Sequence, residues 1–179
     1  MGKEKEAEFY TGKGYMEKAI KRYWPIYQET FMAVKEARCG RVIEFGCGVG
    51  VLAKMLYDEG FTNYLGIDFS SDMIRLAKSR APQQCFLQLD LRESIKGFCT
   101  GSPCFICLET LEHIKNDLQV LDNIPSGATV IFSVPTYNFK AHVRYFKTKE
   151  EVIDRYSISI EIKECKLISK IWVCKGVKK

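Results

Sequence analysis

Apolar positions along the chain change period several times, and each change marks an element. From about residue 16 to residue 37 they fall at Ile20, Tyr23, Trp24, Tyr27, Phe31 and Val34, close to a helical repeat interrupted at Pro25. One or two amphipathic helices are predicted there. Arg41 to Phe45 reads as a short strand running into Gly46-Cys47-Gly48-Val49-Gly50, after which Val51, Leu52, Met55 and Leu56 mark a helix closing near Gly60. The pattern then repeats. Asn63 to Asp68 is a strand, Ser70-Ser71-Asp72 an N-cap region, Met73 to Arg80 a helix and Cys85 to Leu89 a third strand. Pro103 to Leu108 is a fourth strand, Ile114 to Leu121 a helix, and Ala128 to Val134 a fifth strand, uniformly apolar as a central parallel strand should be. A short helix over Lys149 to Tyr156 precedes two further alternating strands between Ser157 and Val177.

Strand and helix alternation of this kind predicts an α/β fold: a doubly wound, seven-stranded, mostly parallel sheet with helices on both faces. No linker divides the chain, so residues 1–40 read as a helical extension or lid on one domain spanning 41–179. Ligands in such sheets bind at the carboxyl ends of the strands, near the switch in strand order.

Composition narrows the class. With 179 residues, 46% of them hydrophobic, the chain can bury roughly two thirds of its unfolded surface, so a core needs no metal or disulfide staples. The longest apolar runs fall far short of the ~20 residues that span a bilayer, and Met1 to Glu6 mixes charge signs with no apolar stretch behind it, unlike a secretory signal. Gly2 has a Glu6 where a myristoylation signal wants Ser or Thr.

Eight cysteines are scattered, with close spacing only at Cys104-Phe105-Ile106-Cys107, inside an apolar run rather than the turn-forming sequence of a zinc knuckle. They read as buried free thiols, which with no export signal points to the cytoplasm. Net charge is +5, and it is carried by the end of the chain. From residue 140 to 179 eleven Lys or Arg stand against five acids, a local +6, spread as a mixed solvated surface without a nucleic-acid-type basic block.

The glycine loop carries the first chemical signal. Alternate glycines let the chain turn sharply out of the first strand and bring backbone amides against a ligand. A dinucleotide fingerprint would need glycine at position 51, where Val51 stands, and Glu44, two residues before Gly46, suits a ligand with an ammonium group better than a pyrophosphate. Asp68 ends the second strand, 22 residues after Gly46, placed to accept hydrogen bonds from both ribose hydroxyls of an adenosine. Asp90 ends the third, placed to hold an adenine amino group.

Together, Glu44 to Gly50, Gly66 to Ser70, Asp90 and Leu108-Glu109-Thr110-Leu111-Glu112-His113-Ile114 resemble the successive motifs of class I S-adenosylmethionine-dependent methyltransferases, from about residue 40 to residue 147. The resemblance implies S-adenosyl-L-methionine as cofactor. Gly46, Cys47, Gly48 and Gly50 would pack under its methionine moiety, and Glu44 would orient the loop or the ammonium. Asp68, Phe69 and Ser70 would hold the ribose, Asp90 and Leu91 would border the adenine, and Leu108 and Glu109 would line the sulfonium end.

Glu109, Glu112 and His113 are spaced to share one face at the start of a helix, and the only other histidine, His142, follows the fifth strand in an adjoining loop. Two Glu and two His could hold a divalent cation such as Mg²⁺ or Mn²⁺. The arrangement is similar to metal-assisted relatives of two kinds, terminal-nucleotide RNA 2′-O-methyltransferases and ubiquinone-type O-methyltransferases, but the same stretch occurs in metal-free relatives. His113, His142 and Glu112 are the candidate catalytic residues, as base or orienting groups. Tyr10, Tyr15, Tyr23, Trp24, Tyr27, Tyr137 and Tyr145 are candidates for a substrate pocket or lid, or for packing. Methylation of a hydroxyl on a small molecule is the leading expectation. Metal-dependent RNA 2′-O-methylation and a non-catalytic cofactor-binding subunit remain as alternatives.

Overall fold

A computed structural model describes residues 15–93 and 103–179 of the chain, with side chains from residue 20 onward. Helix α1 (Tyr15–Glu36) leads into β1 (Val42–Phe45), α2 (Val51–Asp58), β2 (Tyr64–Asp68), α3 (Ser71–Arg80) and β3 (Cys85–Gln88). After residue 103 come β4 (Cys104–Leu108), a 3₁₀ turn (Leu111–His113), α4 (Asp117–Leu121), β5 (Thr129–Pro135), α5 (Lys149–Tyr156), β6 (Ile160–Ile168) and β7 (Ile171–Lys178).

The strands form one seven-stranded sheet in the order β3-β2-β1-β4-β5-β7-β6. The first five are parallel, and β7 inserts antiparallel between β5 and β6. Strand order reverses between β1 and β4, which opens a crevice at their carboxyl ends. This is the architecture expected from the strand and helix alternation.

Strand alternation divides the core. On β4, Phe105 and Cys107 face the layer that contains Val120 and Leu121 of α4 and Val152 and Tyr156 of α5. Cys104, Ile106 and Leu108 face the opposite layer, with Ile26, Ala33 and Val34 of α1 and Leu52 and Leu56 of α2. Ser70 caps α3 by accepting from the Met73 amide, and Thr148 and Glu151 form a capping box at α5, which sharpens both helix starts.

One open alternative closes and two expectations change. Pro25 does not divide the first helix, which runs unbroken through it; the ring costs one backbone bond but leaves Ile26 packed in the core. The helix expected over 114–121 is shorter, because Leu111–His113 form a separate 3₁₀ turn and α4 begins only at Asp117. The cysteines are not all buried free thiols. Cys39 is bonded to Cys104 and Cys165 to Cys174, the latter register partners on β6 and β7, while Cys85 is exposed and Cys99 lies outside the described residues. Pairs 65 and 9 residues apart meet only through sheet topology, and with them the thiol-count argument for the cytoplasm lapses. Among the described residues no helix is long and apolar enough to cross a membrane.

Candidate functional site

A cleft opens at the carboxyl ends of β1, β2 and β4, where the strand order reverses, and α1 roofs it. Of the residues singled out in the sequence, Gly46, Gly48, Asp68, Phe69, Ser70, Asp90, Leu91, Leu108, Glu109 and His113 line it. Glu44, Cys47, Gly50, Glu112 and His142 do not.

The three glycines of the loop do different work. Each has a positive φ, at 71°, 50° and 72° for Gly46, Gly48 and Gly50. A Cβ on Gly48 would meet nothing within 4 Å, so its bare backbone faces the open cleft. At Gly50 a Cβ would lie 3.1 Å from Ala77 and 3.3 Å from Phe86, so this glycine lets α2 start close against α3 and β3. It serves packing, not ligand contact.

Glu44 points beneath the loop, where the Tyr64 hydroxyl donates to its carboxylate. Strand alternation explains this: β1 neighbours on either side of Glu44 enter one core layer, and Glu44 enters the other. Burial raises its pKa to about 8, with the Tyr64 hydrogen bond opposing and the charge of Asp68 adding to the rise. Between its ordinary value of 4.5 and about 8 the folded chain therefore keeps a proton that the unfolded chain has released. Stability must fall as pH rises across that window, by up to about 1.4 kcal/mol per pH unit from this group. Urea unfolding of the wild type and of Glu44→Gln at pH 6 and pH 9 checks it: the variant is expected to gain on the wild type at pH 9, and an unchanged difference refutes the assignment.

Asp68 is nearly buried, and its two oxygens accept from different amides, Oδ2 from Gly48 at 2.9 Å and Oδ1 from Ser70 at 3.0 Å. Burial raises its pKa, and these amides counter the rise. The carboxylate thus ties the glycine loop to the start of α3 while its remaining lone pairs face the cleft. Asp90 differs from expectation. Arg92 donates to both its oxygens, from Nε at 3.0 and 2.9 Å and from Nη2 at 2.5 Å, and holds its pKa down. This end of the cleft presents an ion pair, not a lone carboxylate.

At the other end, Glu109 sits in the left-handed region, φ 48°, directly after β4. Its amide donates to Ser133 Oγ at 2.9 Å, and that hydroxyl donates back to Oε1 at 3.0 Å, so β5 holds the strained residue in place. Glu109 is therefore not on one helical face with Glu112 and His113, because the backbone reverses its hand between them. Burial raises the Glu109 pKa to about 8, and burial together with the charge of Glu109 raises that of Glu112 well above the carboxylate range.

Glu112, His113 and His142 do meet. Their ligand atoms lie within 4.8 Å of one another, Glu112 Oε1 is 3.6 Å from His113 Nε2, and the two imidazoles sit 5.0 Å apart edge to face. His113 Nδ1 lies 3.0 Å from the Ala141 carbonyl and His142 Nδ1 3.2 Å from that of Tyr137. Burial lowers both pKa values, that of His113 to about 4, so each ring is neutral near pH 7, donates from Nδ1 and carries its lone pair on Nε2. Glu112 is fully buried, and neither carboxyl oxygen has a hydrogen-bond partner among the described residues. His113 reaches the cleft; Glu112 and His142 stand behind it.

Several lining residues were not among the site residues expected from the sequence, though Val49, Thr110 and Ile114 lie inside its motifs. Thr110, Val49, Met73, Arg92 and Ile114 belong to loops and helix starts whose direction no local period encodes. Ile20, Tyr23, Ile26 and Tyr27 line the cleft from α1, and the Tyr23 hydroxyl lies 3.3 Å from that of Tyr137. Tyr145 does not line it, and Tyr10 falls outside the described residues.

Comparison with known proteins agrees with the fold. A family model described as a methyltransferase domain matches residues 10–158. The chain is similar to the ubiquinone biosynthesis O-methyltransferase of Coxiella burnetii, 31% identical over 112 residues, covering 57% of this chain and 46% of that protein. Vibrio cholerae supplies a relative of the same name at 25% identity, with 58% and 45% covered. The chain thus spans less than half the length of these relatives. Among solved structures, the magnesium protoporphyrin IX methyltransferase of Synechocystis PCC 6803 with bound S-adenosylmethionine superimposes with a TM-score of 0.72 at 16% identity, over 97% of this chain and 95% of that one.

Proposed function

We propose, since the chain belongs to the methyltransferase domain family, that it transfers the methyl group of S-adenosylmethionine to a hydroxyl oxygen of a small molecule. The observation that carries this reading is Asp68. Its buried carboxylate stands at the end of β2, held on one side by the Gly48 and Ser70 amides and open to the cleft on the other. A diol is the natural partner for such a carboxylate, and the bare backbone at Gly48 beside it gives room for the rest of a nucleoside.

A sulfonium methyl is already activated, so the protein's task is to align the acceptor with the sulfur–carbon bond and keep water out. Leu108, Glu109 and His113 bound the end of the cleft proposed for that alignment, and Tyr23 and Tyr27 of α1 line it from the other side, which supports a lid role for α1. As the oxygen–carbon bond forms and the sulfur–carbon bond breaks, the acceptor hydroxyl becomes acidic. Neutral His113, which lines that end of the cleft, takes the proton, and the Ala141 carbonyl 3.0 Å from its Nδ1 holds the ring as it does so.

A second reading rests on the unpartnered oxygens of Glu112. Two buried carboxyl oxygens beside two imidazole nitrogens fit a divalent cation, with Glu112, His113 and His142 as ligands and Glu109 Oε2, also without a partner among the described residues, close to the same cleft end. Such a cation would lower the pKa of the acceptor hydroxyl. The experiment is turnover of S-adenosylmethionine with a panel of small hydroxylated acceptors, before and after treatment with chelator. Loss of activity restored by Mg²⁺ or Mn²⁺ is expected on the second reading and undiminished activity on the first. No transfer to any hydroxyl, with transfer to amines instead, overturns both.

A further inference from the structure

The cluster at the end of the cleft is assembled from two separate pieces of chain. Glu112 and His113 follow β4 in a 3₁₀ turn, and His142 follows β5 in the loop before α5. Short turns of this type leave several carbonyls unpaired at their ends. Here one side chain reaches three carbonyls of the turn and its end, and that of Leu111 also accepts from the Ile114 amide at 3.2 Å. Arg144 Nη1 donates to the Leu111 carbonyl at 2.6 Å and the Ile114 carbonyl at 2.5 Å, and Nη2 donates to the Lys115 carbonyl at 2.7 Å.

The same guanidinium is neutralised by Asp117, 3.1 Å away and fully buried at the start of α4. Asp117 is held in turn by Arg155, at 2.5 Å, and by the Tyr156 hydroxyl, at 2.9 Å, both from α5. Two further bonds lace the segments together, from the Val143 amide to the Glu112 carbonyl at 2.8 Å and between His113 Nδ1 and the Ala141 carbonyl at 3.0 Å. Arg144 therefore stands two residues from His142 in sequence and grips the turn that carries Glu112 and His113.

We propose that Arg144 is the positioning residue of this site: by clamping the 3₁₀ turn to the 141–144 loop it sets the separation and the tautomers of His113 and His142. The role rests on the reading of that cluster as the working end of the cleft. Only a planar fork with several donors on one rigid group reaches three carbonyls and a carboxylate at once, so lysine cannot replace it. Arg155 is the internal control, because it shares the Asp117 network but touches neither the turn nor the histidines.

The chain has two histidines, so nitrogen-15 correlation spectra of the imidazoles report the site without cofactor, metal or substrate. At pH 7 the wild type and Arg155→Gln are expected to show both rings protonated at Nδ1, whereas Arg144→Lys should average the tautomers of at least one ring. Mn²⁺ affinity, read by electron paramagnetic resonance, should drop about tenfold or more in Arg144→Lys and remain unchanged in Arg155→Gln. Should Arg144→Lys fail to fold, Arg144→Gln is read in the same way. Wild-type tautomers in the Arg144 variants, or an equal change in Arg155→Gln, overturn the inference. If even the wild type does not bind Mn²⁺, the cation reading fails while the spectra still decide the role of Arg144.

Discussion

Replacing Asp68 by alanine is expected to weaken binding of S-adenosylmethionine by about 100-fold or more, with the fold intact. Two losses combine. The carboxylate is the one acid at the end of β2 that faces the cleft, so a bound ribose loses its acceptor, and a charge-assisted hydrogen bond contributes about 1.5–3 kcal/mol. The Gly48 amide also loses the oxygen 2.9 Å away that holds the glycine loop in its working shape. Asp68→Asn separates the two, since its amide oxygen can still take one of the backbone donors; it should fall between alanine and wild type. Calorimetric titration with S-adenosylmethionine and S-adenosylhomocysteine, beside thermal melts of each variant, makes the test. Equal affinity for Asp68→Ala and wild type would remove the cofactor assignment.

The second large effect concerns stability. A Cβ on Gly46 would lie 2.2 Å from Thr110 Oγ1 and 2.8 Å from Thr110 Cγ2, in a backbone conformation with φ 71° that L-residues avoid. The left-handed conformation costs roughly 1–2 kcal/mol, and overpacking adds about 1–3 kcal/mol. For a chain of this length Gly46→Ala should therefore lower Tm by on the order of 10 °C. Thr110 cannot simply rotate away, because its hydroxyl donates to the Leu108 carbonyl at 2.9 Å. The double variant Gly46→Ala/Thr110→Ala is expected to recover about half the loss, as it removes the two closest contacts and leaves the Cβ of residue 110 at 3.0 Å and the backbone strain. A double variant no more stable than Gly46→Ala alone would show that the contact with Thr110 is not what demands glycine.

Most of the framework was legible because it is encoded locally. Apolar runs, period-2 alternation and period-3.6 repeats located all seven strands and the helices, apart from the later start of α4, and Ser70 marked a helix start by the chemistry of its own side chain. Asp68 and Gly48 were legible for the same reason. A glycine turn leaves a strand in only one way, and an acid on the last residue of a parallel strand must emerge at the carboxyl edge of the sheet.

What the linear pattern left undecided depends on approach between distant segments. Alternation along β1 makes Glu44 a buried acid bonded to Tyr64, and a spacing rule for ligands cannot register that. Glu109 leaves the helical face because Ser133, 24 residues on, captures both its amide and its carboxylate. Arg92 takes the oxygens of Asp90, Cys39 finds Cys104 through a neighbouring strand, and Arg144 draws together two loops that the sequence separates by about thirty residues. The sequence by itself determined the sheet, the crevice and the acid that marks it, since strand period, glycine conformation and helix capping act within a few residues. Only the tertiary structure decided which side chains share a buried cluster, because burial, unpaired oxygens and the neutral state of His113 and His142 arise from what is packed around a group, not from its neighbours along the chain.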